Sequence, residues 1–397
     1  MASTLTWLDH DAKALERMRR VIAAFDQDTR DELGLGGVRD SIADQLFPGT
    51  STIQTRLRYM LFVPWMYVEL EKKHVESAAI ARRARDYELR LSLALLKADD
   101  KEGVIGKRAG RSLKRLPSSV YWSGLGAWGI RRFPGSQDQY HAALDGIYRR
   151  RKERRDRDDD NDVIFDSSTT TWHRGLPDPP EGFPDQAELR LTRREAQFLE
   201  DRIVETQSGS LLAHLALRPG PLRVNYAWGL SQASLSAEHR ELLYHARLFS
   251  ETMHGASILY NLMLAQELRD AALVDYHREA LDDWTERLNR QEVKDWPLKR
   301  LWELTLGTIH VVSPHVREFV ARWVRLVLED GGTPAENDRA RDLIRRREMQ
   351  LKGPRSRFVC RDALDRWRGQ SMASPLSYRW STARTFLEDL HAGLRRR

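Results

Sequence analysis

Cysteine is almost absent from this chain. Cys360 is the only one in 397 residues, so no intrachain disulfide can form and no zinc ribbon or iron–sulfur cluster can be held by thiolates. That scarcity fits a reducing cytoplasm, the location expected. Long hydrophobic runs are missing too. The most apolar stretch, Tyr59–Val68, contains Pro64 and is far shorter than the roughly 20 residues a membrane-spanning helix needs. It reads as a buried helix, and no membrane partner is expected. The opening residues, MASTLTWLDHDAKALERMRR, lack the apolar core of a signal peptide.

Catalytic motifs are also lacking. There is no GxxxxGK[ST] loop for a nucleoside triphosphate, no HExxH and no GxSxG elbow. Gly34-Leu-Gly-Gly-Val-Arg39 begins like a dinucleotide loop but has neither the third glycine nor a preceding strand. Pro184-Asp185 with Glu188-Leu-Arg190 faintly resembles a restriction-type nuclease core, at the wrong spacing. His173, between Trp172 and Arg174, reads as an exposed loop histidine. Carboxylate-x-x-His pairs, the spacing of helical di-iron ligands, occur at Glu71/His74, Asp138/His141, Glu251/His254 and Glu388/His391. Chance at this chain's frequencies predicts about two, so no metal site, and no cofactor, is expected.

Strand signals are few: Leu222–Tyr226 and Val163–Phe165, neither with a hairpin partner. Helix signals dominate. Asp9 or Asp11 can cap a helix to Ala24. Ser51-Thr-Ile-Gln54 reads as a capping box opening the buried helix through Leu70, and a charged helix is expected over Ser77–Lys97. Thr192-Arg-Arg-Glu195 reads as a second box, with its helix ending near Glu205. Apolar residues recur at helical spacing from Ser236 to Asp270. Ser313-Pro314 opens a helix stopped by Gly331-Gly332, and Thr333-Pro-Ala-Glu336 reads as the start of another.

The expected fold is therefore all-α, mainly helical with minor β, in two helical lobes. Arg149–Asp160 has no apolar residue, and Gly175–Pro184 holds four prolines. That composition predicts a charged, proline-rich connector over 151–186, between an N-terminal helical domain (1–150) and a C-terminal one (187–397).

Charge is what the chain has in quantity. Lys and Arg number 65 against 58 Asp and Glu, giving +7 and a pI near 9.5. The segment 103–136 contains no Asp or Glu, yet carries Lys107, Arg108, Arg111, Lys114, Arg115, Arg131 and Arg132. On a helix, Lys107, Arg111 and Lys114 share a face, as do Arg108, Arg111 and Arg115. Pro117-Ser-Ser119 would end that helix and cap the next, a loosely helix-turn-helix-like plan. Cations beside Tyr121 and Trp122 suit phosphate contact plus base stacking, and DNA or RNA is the partner expected. The competing reading makes the aromatic residues core and the cations a solvated coat.

Several short stretches resemble one bacterial family along almost the whole length. They are Leu5-Thr-Trp-Leu-Asp9, Leu46-Phe-Pro-Gly-Thr-Ser-Thr-Ile-Gln-Thr-Arg56, Leu61-Phe-Val-Pro-Trp65, Leu116-Pro-Ser-Ser-Val-Tyr-Trp122, Trp172-His-Arg-Gly-Leu-Pro177 and Tyr378-Arg-Trp380. They are similar to the family catalogued as domain of unknown function 6361. The resemblance supplies no catalytic residues. It implies a setting among bacterial defence genes, beside helicase-like and phospholipase-D-like neighbours, and hence other defence proteins as partners. The expected role is a non-enzymatic accessory component of an anti-phage system that binds nucleic acid or such a partner. The rivals are a nuclease-type enzyme with an unrecognised site and a helical protein–protein scaffold or sensor.

Overall fold

A computed structural model describes residues 31–107, 113, 115–158, 170–329, 333–372 and 374–396. The expected helix ending at Ala24, the Val163–Phe165 strand and the Gly331-Gly332 stop lie outside the described residues. So do Arg108, Arg111 and Lys114. The fold is all-α. In chain order the described helices are α1 (Gly36–Leu46), α2 (Tyr59–Lys72), α3 (Ser77–Leu95), α4 (Pro117–Ala127), α5 (Gln137–Asp158), α6 (Arg193–Thr206), α7 (Leu211–Ala216), α8 (Ala237–Leu268), α9 (Ala271–Arg287), α10 (Arg290–Lys294), α11 (Leu298–Thr305), α12 (Pro314–Glu329), α13 (Asp338–Lys352), α14 (Arg361–Asp365) and α15 (Trp380–Leu394). None is long and apolar enough to cross a membrane among the described residues.

The helices gather into two compact units, each assembled from separated parts of the chain. The first comprises the described part of Met1–Ile42 with Tyr244–Leu376, and the second comprises Ala43–Leu243 with Ser377–Arg397. The divisions fall inside α1 and α8. The described part of the connector region belongs to the second unit, where Trp172, Pro177 and Pro184 are buried. The basic run from Arg149 continues α5 as far as Asp158.

The second unit is built around α2, whose residues from Tyr59 to Tyr67 are all buried. Two arginines just before it make ion pairs. Arg58 places Nη2 2.6 Å from the Glu195 carboxylate, with its guanidinium over the Phe62 and Trp65 rings. Arg56 forks onto Asp389 of α15 at 2.9–3.1 Å and reaches Asp100 at 2.7 Å. The α6 capping box is present in full: Thr192 accepts the Glu195 N–H, and Glu195 accepts the Thr192 N–H. α4 lies so close to the turn before α2 that a Cβ on Gly124 would come within 2.4 Å of the Gly49 carbonyl oxygen.

In the first unit, indole N–H groups tie helices together through backbone carbonyls. Trp284 donates to Glu251 at 2.7 Å and Trp323 to Thr252 at 2.8 Å, both on α8. A buried charge cluster joins the start of the described chain to α13. There Glu32 receives Lys352 and, at 2.7 Å, Arg357.

Three local expectations are corrected. The Ser51–Gln54 box exists as a turn, with Gln54 Oε1 accepting the Ser51 N–H at 2.9 Å, but the helix begins only at Tyr59. Thr333–Glu336 forms a single 3-10 turn; Asn337 then caps α13 by accepting the Ala340 N–H. Leu222–Tyr226 is not a strand. Its Val224 carbonyl is taken by the Trp380 and Arg384 side chains, which leaves no ladder to build.

Glu88 of α3 supplies a cap that α4 lacks. Leu116, before Pro117, offers no side-chain acceptor, and Glu88 takes the Ser118 N–H at 2.5 Å and the Ser118 hydroxyl at 3.0 Å. Burial pushes this carboxyl up to about 8. A raised folded-state value favours the protonated form, so its stabilisation is full below the ordinary value of 4.5 and is lost as pH rises to about 8. Thermal melts of the wild type should therefore drift downward over that window. Glu88→Gln, which keeps an acceptor oxygen for the Ser118 N–H and has no titrating group, should flatten the drift. Equal profiles for the two proteins would contradict it.

Candidate nucleic-acid interface

Of the nine residues singled out by the sequence, the six that are described divide by burial. Lys107, Arg115 and Arg132 are exposed, and none has a carboxylate partner among the described residues. Arg131 is half-buried. Its guanidinium lies 4.8 Å from the Trp122 ring centroid and donates to the carbonyls of Trp122 and Gly135 at 3.3 and 2.9 Å. Tyr121 is fully buried, and its hydroxyl donates to the Arg56 carbonyl while accepting the Thr55 and Arg56 N–H groups. Trp122 is 8% exposed and donates to Gly135. Neither ring can stack on a base without leaving the core. The helix that a helix-turn-helix would lay in a groove is here a core helix, with Ser119 and Ser123 its exposed positions among the first seven. The preceding turn, Gly103–Lys107, is not helical.

What the sequence missed is Glu71, at the last turn of α2. Its carboxylate is buried and accepts from four side chains. Tyr140 O–H and Trp172 Nε1–H reach Oε1 at 2.5 and 3.0 Å; Arg151 and the Thr171 hydroxyl reach Oε2 at 2.7 and 3.0 Å. Burial and the neighbouring Glu71 charge hold the Tyr140 hydroxyl well above its usual range. Tyr67 stacks on Trp172 at 5.7 Å with the planes 13° apart, and Trp122 meets the same indole edge-on. The spacing Tyr67–Glu71 was the available signal, since it continues an inward stripe of α2 by one turn.

This anchored Thr171-Trp172 pair forms a short extended bridge with the end of the basic segment. Arg131 and Trp172 are antiparallel partners. The Arg132 N–H donates to the Thr171 carbonyl at 2.8 Å, and the His173 N–H to the Ile130 carbonyl at 2.7 Å. Two segments far apart in sequence thus bring Arg131-Arg132 beside His173-Arg174. The His173 ring rests on Phe198 of α6, and its Nδ1 accepts the Gly175 N–H at 3.0 Å. Partial burial, with the Arg202 and Arg132 charges, holds the imidazole below its usual value. The ring is therefore neutral near pH 7, with Nε2–H left as a donor. Exposed Arg132 lies close enough for its charge to act on the ring, and the Glu205 carboxylate acts on it in the opposite sense. Such a grouping of guanidinium and imidazole N–H donors suits a phosphodiester oxygen.

The four carboxylate-x-x-His pairs have other uses. His74 is exposed at a positive φ, while Glu71 is saturated as described. His141 Nε2 meets the Tyr67 hydroxyl at 2.8 Å. Glu251 pairs with Arg247 at 3.2 Å, and His391 is buried against the Leu215 and Ala216 carbonyls. No group of three or more His, Cys, Asp or Glu side chains disposed for a metal ion occurs among the described residues. Asp185 of the nuclease-like stretch is exposed and paired with Arg90 at 2.5 Å.

Fold and surface together define an all-helical protein whose candidate site is a basic surface held by a buried carboxylate. The model of a family of unknown function, DUF6361, matches residues 2–393, and the chain belongs to that family. No curated protein and no solved structure matches.

Glu71→Gln tests the anchor. An amide offers one acceptor oxygen where four donors converge, so at least one buried donor faces an NH2 group. The expected loss is about 2–4 kcal/mol in urea unfolding, from unmet donors and the broken Arg151 pair. A change below about 0.5 kcal/mol, the usual surface-substitution range, would show that the cluster does not support the bridge.

Proposed function

We propose that this chain is a non-enzymatic accessory component of a bacterial anti-phage system, binding nucleic acid through the backbone phosphates. The observation that carries the reading is the Arg131–Trp172 bridge. It brings Arg132, from the segment without carboxylates between Gly103 and Gly135, beside His173. Exposed Lys107 and Arg115 belong to the same acid-free segment. Because Tyr121 and Trp122 are held in the core, the contacts are electrostatic, and sequence preference should be weak.

A second reading, a helical scaffold for another defence protein, has one observation in its favour. Leu306, Ile309 and Val311 follow α11 in a loop and are 60, 71 and 87% exposed, an apolar display that a monomer rarely needs.

Electrophoretic shifts on DNA and RNA over a salt series separate the two. Phosphate binding should weaken with salt at a log–log slope of roughly −0.7 to −0.9 per contact. Replacing Arg115 and Arg132 together with Ala should weaken binding to every sequence alike and flatten the slope by up to about two. Thermal melts should stay unchanged, since both side chains are exposed. Absence of any shift at low salt with folded wild type would remove the nucleic-acid reading and leave the scaffold.

A further inference from the structure

A concavity lies in the first unit, distant in sequence from the basic bridge. It is a groove of about 600 Å3 between α12 and α13. Its floor is apolar, made by Phe319, Leu326 and Leu343. Its walls are cationic: Arg322, Arg325, Arg339, Arg346 and Arg347 line it, against the carboxylates Glu318 and Asp342.

The pairing within the groove is uneven. Arg322 is held by Glu318 at 2.6 Å, Arg346 by Asp342 at 2.8 Å and Arg339 by Glu329 at 3.2 Å. Arg325 is exposed and has no carboxylate partner among the described residues. Arg347 has none either, and it is 95% buried. It spends Nε–H on the Leu33 carbonyl at 2.9 Å and makes long contacts of 3.4 and 3.5 Å to Gln350 and the Gly34 carbonyl. Its guanidinium lies 5.4 Å from the Phe319 centroid. A guanidinium carries five N–H donors, so Arg347 keeps two uncommitted at the groove wall. Burial disfavours its charge and lowers its pKa, and the Asp31 carboxylate, which makes no ion pair with it, offsets that only in part. An anion seated beside it would remove that penalty, and the second unpaired guanidinium, Arg325, lines the same groove.

We infer that this groove is a binding site for a small phosphorylated ligand of the nucleotide class. Arg325 and Arg347 hold its phosphates, and the Phe319–Leu326–Leu343 floor takes its apolar face. The groove volume accommodates a mononucleotide or dinucleotide, and fork-shaped guanidinium donors suit phosphate oxygens. The inference is independent of the surface proposed for nucleic acid, because it uses neither Arg132 nor His173.

Calorimetric titration of the full-length protein at low salt, with inorganic pyrophosphate and with ATP, tests it. Both should bind, ATP at least tenfold tighter because only ATP reaches the apolar floor. Arg325→Glu should weaken both at least tenfold without moving the ligand-free melting temperature, since that side chain is exposed. Arg347→Lys keeps the charge but loses the fork, and should weaken both while the protein remains folded. Arg132→Ala should leave both affinities unchanged. Failure of the wild type to bind either probe overturns the site. So does equal affinity for the two probes, which would mean an unspecific cationic surface. Unaltered binding in Arg325→Glu overturns it as well. Loss of pyrophosphate binding in Arg132→Ala would move the anion site to the bridge instead.

Discussion

A carboxylate taken out of water must be matched by donors, and the second unit is organised by one such demand. Glu71 gathers a tyrosine and an arginine from α5 and a threonine and a tryptophan from the Thr171-Trp172 pair. Each donor is fixed in place by the others' presence, because an unmet one would cost roughly 1–3 kcal/mol. The extended bridge, the stacking of Tyr67 on Trp172 and the edge contact of Trp122 all follow from where those donors have to be. Arg132 and His173 belong to the bridge that this arrangement holds.

Net charge proved a poor guide to where charge is displayed. Some of the arginine in this basic protein serves its interior. Arg58 is 2% exposed and paired with Glu195, Arg56 is shared by two aspartates, and Arg131 is folded over Trp122 onto carbonyl oxygens. Arginine suits this work because its planar fork satisfies several acceptors at once and stacks on rings. Many other cations remain exposed, Arg132 and Arg325 among them, and only such outward groups can answer to a distant anion.

The helical character of the chain was legible because its signals are local. The Thr192–Glu195 box, the Ser313-Pro314 start and the apolar period from Ser236 all act within a turn or two, and α6, α12 and α8 begin and run where those signals put them. The errors came where a local signal had a tertiary competitor. Gln54 does reach back to Ser51, but its amide also donates toward Gly49 and Val120, and the turn it closes never propagates. The site was harder to read. Tyr121 and Trp122 stand next to cations in sequence, but helical geometry turns them inward. In the sequence Glu71 stood out only as half of a carboxylate-x-x-His pair with His74. Its meaning depends on Tyr140, Arg151 and Trp172, whose proximity no local pattern encodes.

Arg56 and Asp389 are 333 positions apart. Closing so long a loop costs little in equilibrium stability, because the entropic penalty grows only logarithmically with length. Its effect falls on time instead. While the polypeptide is being made, α2 and α4 emerge early, with Tyr121 and Trp128 among their neighbours, yet the ring of Phe386 that packs against both is synthesised near the other end. Until then a strongly apolar helix and a guanidinium awaiting its carboxylate are both uncovered. Such a nascent chain spends most of its synthesis incomplete, exposed to self-association and to the chaperones that prevent it.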